Sequence, residues 1–182
     1  MIITNNEHAL RVKCDAVFEH EVGQLVELLE NELNNSNKLG RPGIGLAAPQ
    51  IGIAKDIAIV RLGNNLNFNL VNAKLKAGYD PAIFKDEGCL SFPGRVENTT
   101  RFQEIHIENN LSYPNSFIAT GLLAVVCQHE LDHLNSTLFI DRLLEKPNIN
   151  TKNKIGPNQP CVCGKIDPIT GKIKKFKKCC GR

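Results

Sequence analysis

His129-Glu130-Leu131-Asp132-His133 closes a run, Leu122 to Leu134, whose opening Leu122, Leu123, Val125 and Val126 are apolar nearly all round. That pattern predicts a helix buried in a core. On a helix, the i, i+4 spacing puts His129 and His133 on one face, where two imidazoles can hold one metal ion. Glu130, one position on from the first imidazole, is placed to take a proton from water activated by that ion and to return it to a leaving amine. A charged helix face would read the same way over five residues, so the surroundings must decide.

A catalytic metal of this kind needs a third protein ligand and an open position. Downstream of His133 the only acids before a change in composition are Asp141 and Glu145, and no further His follows. Neither the later Glu nor the third His of the H-E-x-x-H protease families has a clear counterpart. Upstream stands Glu87-Gly88-Cys89-Leu90-Ser91, a thiol beside a glycine that permits close backbone approach. Cys89 could be a buried apolar residue, a nucleophile or a ligand, and the two histidines favour ligand. Cys14 and Cys127 lack such company and read as structural. His8, His20 and His106 read as surface or core residues.

Working outward, Val22, Leu25, Val26, Leu29 and Leu33 recur at three- and four-residue spacing, which predicts an amphipathic helix ending in Asn34, Asn35 and Ser36. A glycine-rich loop follows. Ile57 to Leu62, Phe68 to Val71 and Phe102 to Glu108 read as strands, being β-branched or aromatic runs bounded by Asn, Gly and Pro.

Three motifs, in order, carry a family resemblance: Gly43-Ile44-Gly45-Leu46-Ala47-Ala48-Pro49-Gln50, then Glu87-Gly88-Cys89-Leu90-Ser91, then Gln128-His129-Glu130-Leu131-Asp132-His133. Residues 1 to 145 resemble the peptide deformylases, with further likeness at Leu10-Arg11, Arg101, Gly121 to Ala124 and Leu138 to Leu143. The resemblance implies an α+β fold with antiparallel sheets around the central helix that carries H-E-x-x-H. It implies that Cys89, His129 and His133 bind one divalent metal and that Glu130 is the acid/base. Gln50 and the backbone N–H of Leu90 would donate to the oxyanion formed at the formyl carbon. Ile44, Leu122 and Val126 would line an apolar pocket for methionine, while Gly45 and Gly88 offer backbone to the peptide. The reaction implied is hydrolysis that removes the N-formyl group from the initiator methionine of nascent polypeptides, releasing formate. The family's usual metal is ferrous iron, with nickel, cobalt or zinc able to take its place.

The chain has 182 residues, 42% hydrophobic and 23% charged. That suits one compact domain with an appendage. No run approaches a membrane span, and residues 1 to 10 do not read as a signal peptide. The expectation is a cytoplasmic chain with no membrane insertion. A zinc endopeptidase is the rival enzyme, and it lacks a third ligand after the helix. An idle scaffold is the rival non-enzyme, opposed by intact Gln50, Cys89, His129, Glu130 and His133.

The last part of the chain departs from the family. Residues 1 to 145 hold 12 Lys/Arg against 18 Asp/Glu, whereas 146 to 182 hold 10 against one, so a body of −6 carries a tail of +9. Residues 146 to 158 have linker composition. Residues 159 to 182 contain four of the seven cysteines, Cys161, Cys163, Cys179 and Cys180, and resemble the small zinc motif at the C-terminus of SecA-type translocation proteins, with a longer spacer between the cysteine pairs. Four thiolates can close a structural Zn2+ site. Reduced cysteines on an unstructured lysine-rich tail, or a redox-sensitive pair, are the alternative readings. Lysines 172, 174, 175, 177 and 178 around Phe176 suggest contact with the ribosome through ribosomal RNA, against the alternative of a solvated tail.

Overall fold

The computed structural model describes residues 1–63 and 66–143, so the linker and tail expectations lie outside the described residues. The elements run α1 (Glu7–Leu10), α2 (Glu19–Lys38), β1 (Gly45–Ala47), a 3₁₀ turn (Ala48–Ile51), β2 (Ile57–Arg61), β3 (Asn67–Val71), β4 (Lys74–Gly88), β5 (Val96–Glu108), β6 (Ser116–Thr120), α3 (Gly121–Leu134) and a second 3₁₀ turn (Phe139–Arg142). They form the α+β arrangement expected, with two three-stranded antiparallel sheets, β1-β2-β3 and β4-β5-β6. Among the described residues no helix is long and apolar enough to cross a membrane.

The side-chain period of two along β2 explains how one short strand serves two cores. Ala58 and Val60 pack with Ala124, Val126, Cys127, Leu131 and Leu134 of α3, and with Ile105, Ile107 and Ala119 of the second sheet. Ile57 and Ile59, on the other face, pack with Leu29 and Leu33 of α2. Helix α3 is thus covered on both sides, and its apolar start is the reason it can be. Each Leu, Ile or Val so enclosed contributes about 1.5–3 kcal/mol of transfer free energy. A third cluster, Leu10, Phe92, Leu138 and Phe139, with Cys89 against it, ties the N-terminal segment to the far end of α3.

Three expectations need correction. Helix α2 does not stop at Asn34–Ser36 but runs to Lys38. Ser36 is buried and its hydroxyl donates to the Arg41 carbonyl at 2.8 Å, and the chain turns only at Gly40, whose φ of 74° suits glycine after a helix end. The glycine-rich loop contains a strand, β1, paired to β2 from Gly45↔Val60 to Ala47↔Ala58. The strand Phe102–Glu108 is the second half of a longer β5, whose hairpin partner β4 went unread. In β4, Lys, Asp, Gly and Pro81 dilute the strand signal, and register shifts lie between Leu75 and Ala77 and between Phe84 and Glu87. An edge strand tolerates both.

Candidate active site

Chain topology brings the three motifs together from different elements. Gln50 sits in the 3₁₀ turn after β1, Cys89 follows the last residue of β4, and His129, Glu130 and His133 lie on α3. Cys89, His129 and His133 each present one ligand atom, all within 4.8 Å of one another, the one such cluster among the described residues. Cys89 Sγ is 3.4 Å from His133 Nε2. The His129 ring meets Glu87 through Nδ1, at 2.6 Å, which leaves its Nε2 for another partner.

A divalent ion fits this donor set. A thiolate and two imidazoles form a three-ligand arrangement with room for a fourth partner, and a carboxylate that fixes the ring of one imidazole is the usual support for a metal-bound histidine. His133, buried and beside His129, has its pKa held well below the ordinary imidazole value, so a neutral ring is available for ligation. Burial would lower His129 too, but the Cys89 and Glu87 hydrogen bonds outweigh it and raise its pKa.

Glu130 is 3% exposed, and its Oε2 is buried without a hydrogen-bond partner. Burial pushes its carboxyl up to about 7, with His129 and Arg101 opposing the rise and Glu87 adding to it. A carboxyl in that range can both accept and release a proton near neutral pH. Gln50 is likewise enclosed, 2% exposed. Its Oε1 accepts from the Ala47 N–H at 2.9 Å, and its Nε2 donates to Ser91 Oγ at 3.1 Å while standing 3.5 Å from Cys89 Sγ. With the oxygen end occupied by Ala47, the amide can present only N–H toward the cluster.

A cavity of about 640 Å³ opens beside these groups, and all five residues expected to meet substrate line it: Ile44, Gly45, Gly88, Leu122 and Val126. Gln50, Cys89, Leu90, His129 and Glu130 line it as well. Leu122, expected within a buried helix start, is instead 51% exposed at its mouth. Phe84, Val96 and Val125 complete the apolar wall, with Arg41 and Arg95 also in the lining. None of these five was assigned to the site from sequence, because their periodicity reads only as strand, helix or loop.

The sequence also gave no role to the buried charges behind the site. Arg101, 2% exposed, makes paired bonds to Glu87, Nε to Oε2 at 2.8 Å and Nη2 to Oε1 at 2.6 Å, and a third to Asp132 Oδ2 at 2.6 Å. Thr99 donates its hydroxyl to Glu87. Arg142 reaches Asp132 Oδ1 at 2.6 Å. Desolvation would raise the Glu87 carboxyl, but His129 and Arg101 more than offset it and hold it at about 2. The available signal was Asp132, an acid on a helix otherwise enclosed, which calls for a buried cation.

An α+β core helix that presents two imidazoles and an unpaired glutamate beside a cysteine sulfur from a second segment defines a metal-dependent hydrolase. Comparison with known proteins narrows the class. The sequence profile described as Polypeptide deformylase matches residues 1–148, and the chain belongs to that family. The peptide deformylase of Heliobacterium modesticaldum is 36% identical over 146 residues, 78% of this chain and 92% of that one. That of Natranaerobius thermophilus is 37% identical over 146 residues, 79% and 92%. Among solved structures, a peptide deformylase from Synechococcus elongatus in complex with actinonin matches with a TM-score of 0.69 at 30% identity, covering 80% of this chain and 79% of that one. The Thermotoga maritima enzyme matches with a TM-score of 0.67 at 28% identity, covering 79% and 97%. Peptide deformylases are metalloenzymes that remove the N-formyl group from the initiator methionine of nascent chains.

Proposed function

We propose that this chain performs its family's hydrolysis with Cys89, His129 and His133 as the ligands of one divalent ion and Glu130 as the acid/base. The observation that carries the reading is the placement of a buried Glu130, whose Oε2 has no hydrogen-bond partner, beside the only three-donor cluster among the described residues. A metal ion bound there supplies Lewis acidity, lowering the pKa of water toward neutrality and polarising the formyl carbonyl. Glu130 takes the proton of the attacking water. As oxygen bonds to the formyl carbon, negative charge grows on the carbonyl oxygen, and Gln50 Nε2 with the Leu90 N–H donate to it. One such donor contributes about 3 kcal/mol to transition-state stabilisation. Glu130 then delivers its proton to the amine nitrogen as the C–N bond breaks, and formate and the free N-terminus leave.

The apolar cavity lining supports a methionine pocket built from Ile44, Leu122 and Val126, with Gly45 and Gly88 facing the peptide backbone. Discrimination against an acetyl group is steric, because a methyl in place of the formyl hydrogen has to fit between Gln50 and the ligand cluster. Ferrous iron is the ion we assign, and nickel, cobalt or zinc would meet the same donors. We place the catalytic unit at residues 1–145, in keeping with a family match that ends at residue 148, and keep residues 146–158 as linker. Residues 159–182 we assign as a zinc-binding tail on Cys161, Cys163, Cys179 and Cys180, with the ribosome as the partner of its lysines and the cytoplasm as the compartment.

The test is formate release from formyl-Met-Ala-Ser by protein purified anaerobically with iron or nickel, beside Glu130→Gln. Release that disappears in the variant while the metal stays bound supports both reaction and base. No release at full metal occupancy sinks the assignment. For the tail, full-length protein should bind one more zinc than residues 1–145 alone, and should sediment with ribosomes in a salt-dependent way.

A further inference from the structure

Glu130 is 3% exposed, and its buried Oε2 has no hydrogen-bond partner among the described residues. A buried carboxylate normally owes its orientation to donors. Here packing must supply it, and Gly45 is one of the residues packed directly against the side chain. A β-carbon at Gly45 would fall 2.9 Å from Glu130 Cδ, 3.1 Å from Cγ and nearer still to Oε1, all inside normal van der Waals separation.

The backbone does not require glycine there. Gly45 pairs with Val60 in the antiparallel β1–β2 ladder, and it is not among the residues with positive φ. Alanine would suit the strand, so the missing β-carbon is a matter of space alone. The same motif repeats the device at Gly43, where a β-carbon would meet Leu90 Cδ1 at 2.6 Å and Leu33 Cδ1 at 3.0 Å. Each glycine of the first motif therefore clears a residue of the other two.

We propose that Gly45 is a positioning residue for the reaction: the absence of its β-carbon lets β1 wall in the Glu130 side chain and leaves Oε2 free for the proton. This rests on Glu130 as the base, but the steric coupling itself does not. The obstructing atoms belong to the movable end of one side chain, so Gly45→Ala keeps the fold and displaces the carboxylate.

The experiment is a double-mutant cycle between Gly45→Ala and Glu130→Ala, read first as thermal stability of the metal-loaded protein. Alanine at position 45 should lower Tm when Glu130 is present and have no such effect when position 130 is alanine, a coupling that a general strand defect cannot give. Equal loss of Tm in both backgrounds overturns the proposal, whatever the activity does. In the Glu130 background, the cobalt-loaded Gly45→Ala variant should keep its thiolate-to-cobalt absorption band, lose kcat by about 100-fold, the scale of an ångström-sized misplacement, and change KM little. Wild-type kcat, or a loss confined to KM, also overturns it. A normal Tm cycle with no effect of Glu130→Gln on kcat would instead show that the base assignment, not the clearance, is wrong.

Discussion

Glu87 Oε1 stands 2.6 Å from Nδ1 of His129 and, at the same distance, from Nη2 of Arg101. One carboxylate oxygen thus joins an imidazole of the proposed metal site to the largest fully buried side chain among the described residues. The site is oriented by a core ion-pair network and not by its ligands alone.

If Glu87 orients His129, Glu87→Gln should weaken metal binding by about 10–100-fold, the usual cost of losing such a supporting carboxylate. Competition with a chromophoric chelator for cobalt or zinc measures this. Unchanged affinity would mean that α3 packing alone sets the ring.

Arg101→Met leaves Glu87 and Asp132 buried without their shared cation. Removing one partner of a buried pair costs about 3–5 kcal/mol, so urea unfolding should show a loss on that scale. Arg142→Met, whose side chain is half-exposed in the native protein, should cost clearly less.

Acid sensitivity follows from the same carboxyl. Glu87 is held at about 2 against an ordinary 4.5, so its charged form stabilises the fold, fully above about pH 4.5. That contribution fades as pH falls from 4.5 toward 2. Asp141, lowered by its hydrogen bonds from Arg11, acts in the same direction. Unfolding free energy of metal-free protein should fall steeply over this range, and Glu87→Gln should flatten the slope.

Gln50→Ala should lower kcat by about 10²–10³-fold, the cost of one oxyanion donor, with metal content unchanged. Loss of metal instead would show that Gln50 serves the Cys89 sulfur, 3.5 Å away.

Burial pushes the Cys127 thiol up to about 12 and that of Cys14 up to about 11. At pH 8 neither holds appreciable thiolate. Peptide mapping after brief iodoacetamide treatment of native protein should find both unmodified, and both labelled after unfolding.

Much of this was legible because it is local. The apolar start of α3 announced a buried helix, i, i+4 spacing put His129 and His133 on one face, and the three- and four-residue spacing from Val22 to Leu33 announced α2. β4 was not legible, since a strand at a sheet edge can carry Lys, Asp and Pro81 that weaken the alternating signal. Arg101 and Asp132 were visible as charges but not as partners, being separated by 31 positions.

The sequence by itself determined the helix with its two imidazoles and glutamate, the thiol at Cys89 and the order of three motifs, because residue type and period are properties of a single segment. Only the tertiary structure decided which ring nitrogen of His129 is taken, which way the Gln50 amide points, and why position 45 has no side chain. Those are relations across 42, 41 and 85 positions of chain. They depend on atoms that meet only when two sheets close over α3, where burial makes each unmade bond or overlapping atom costly.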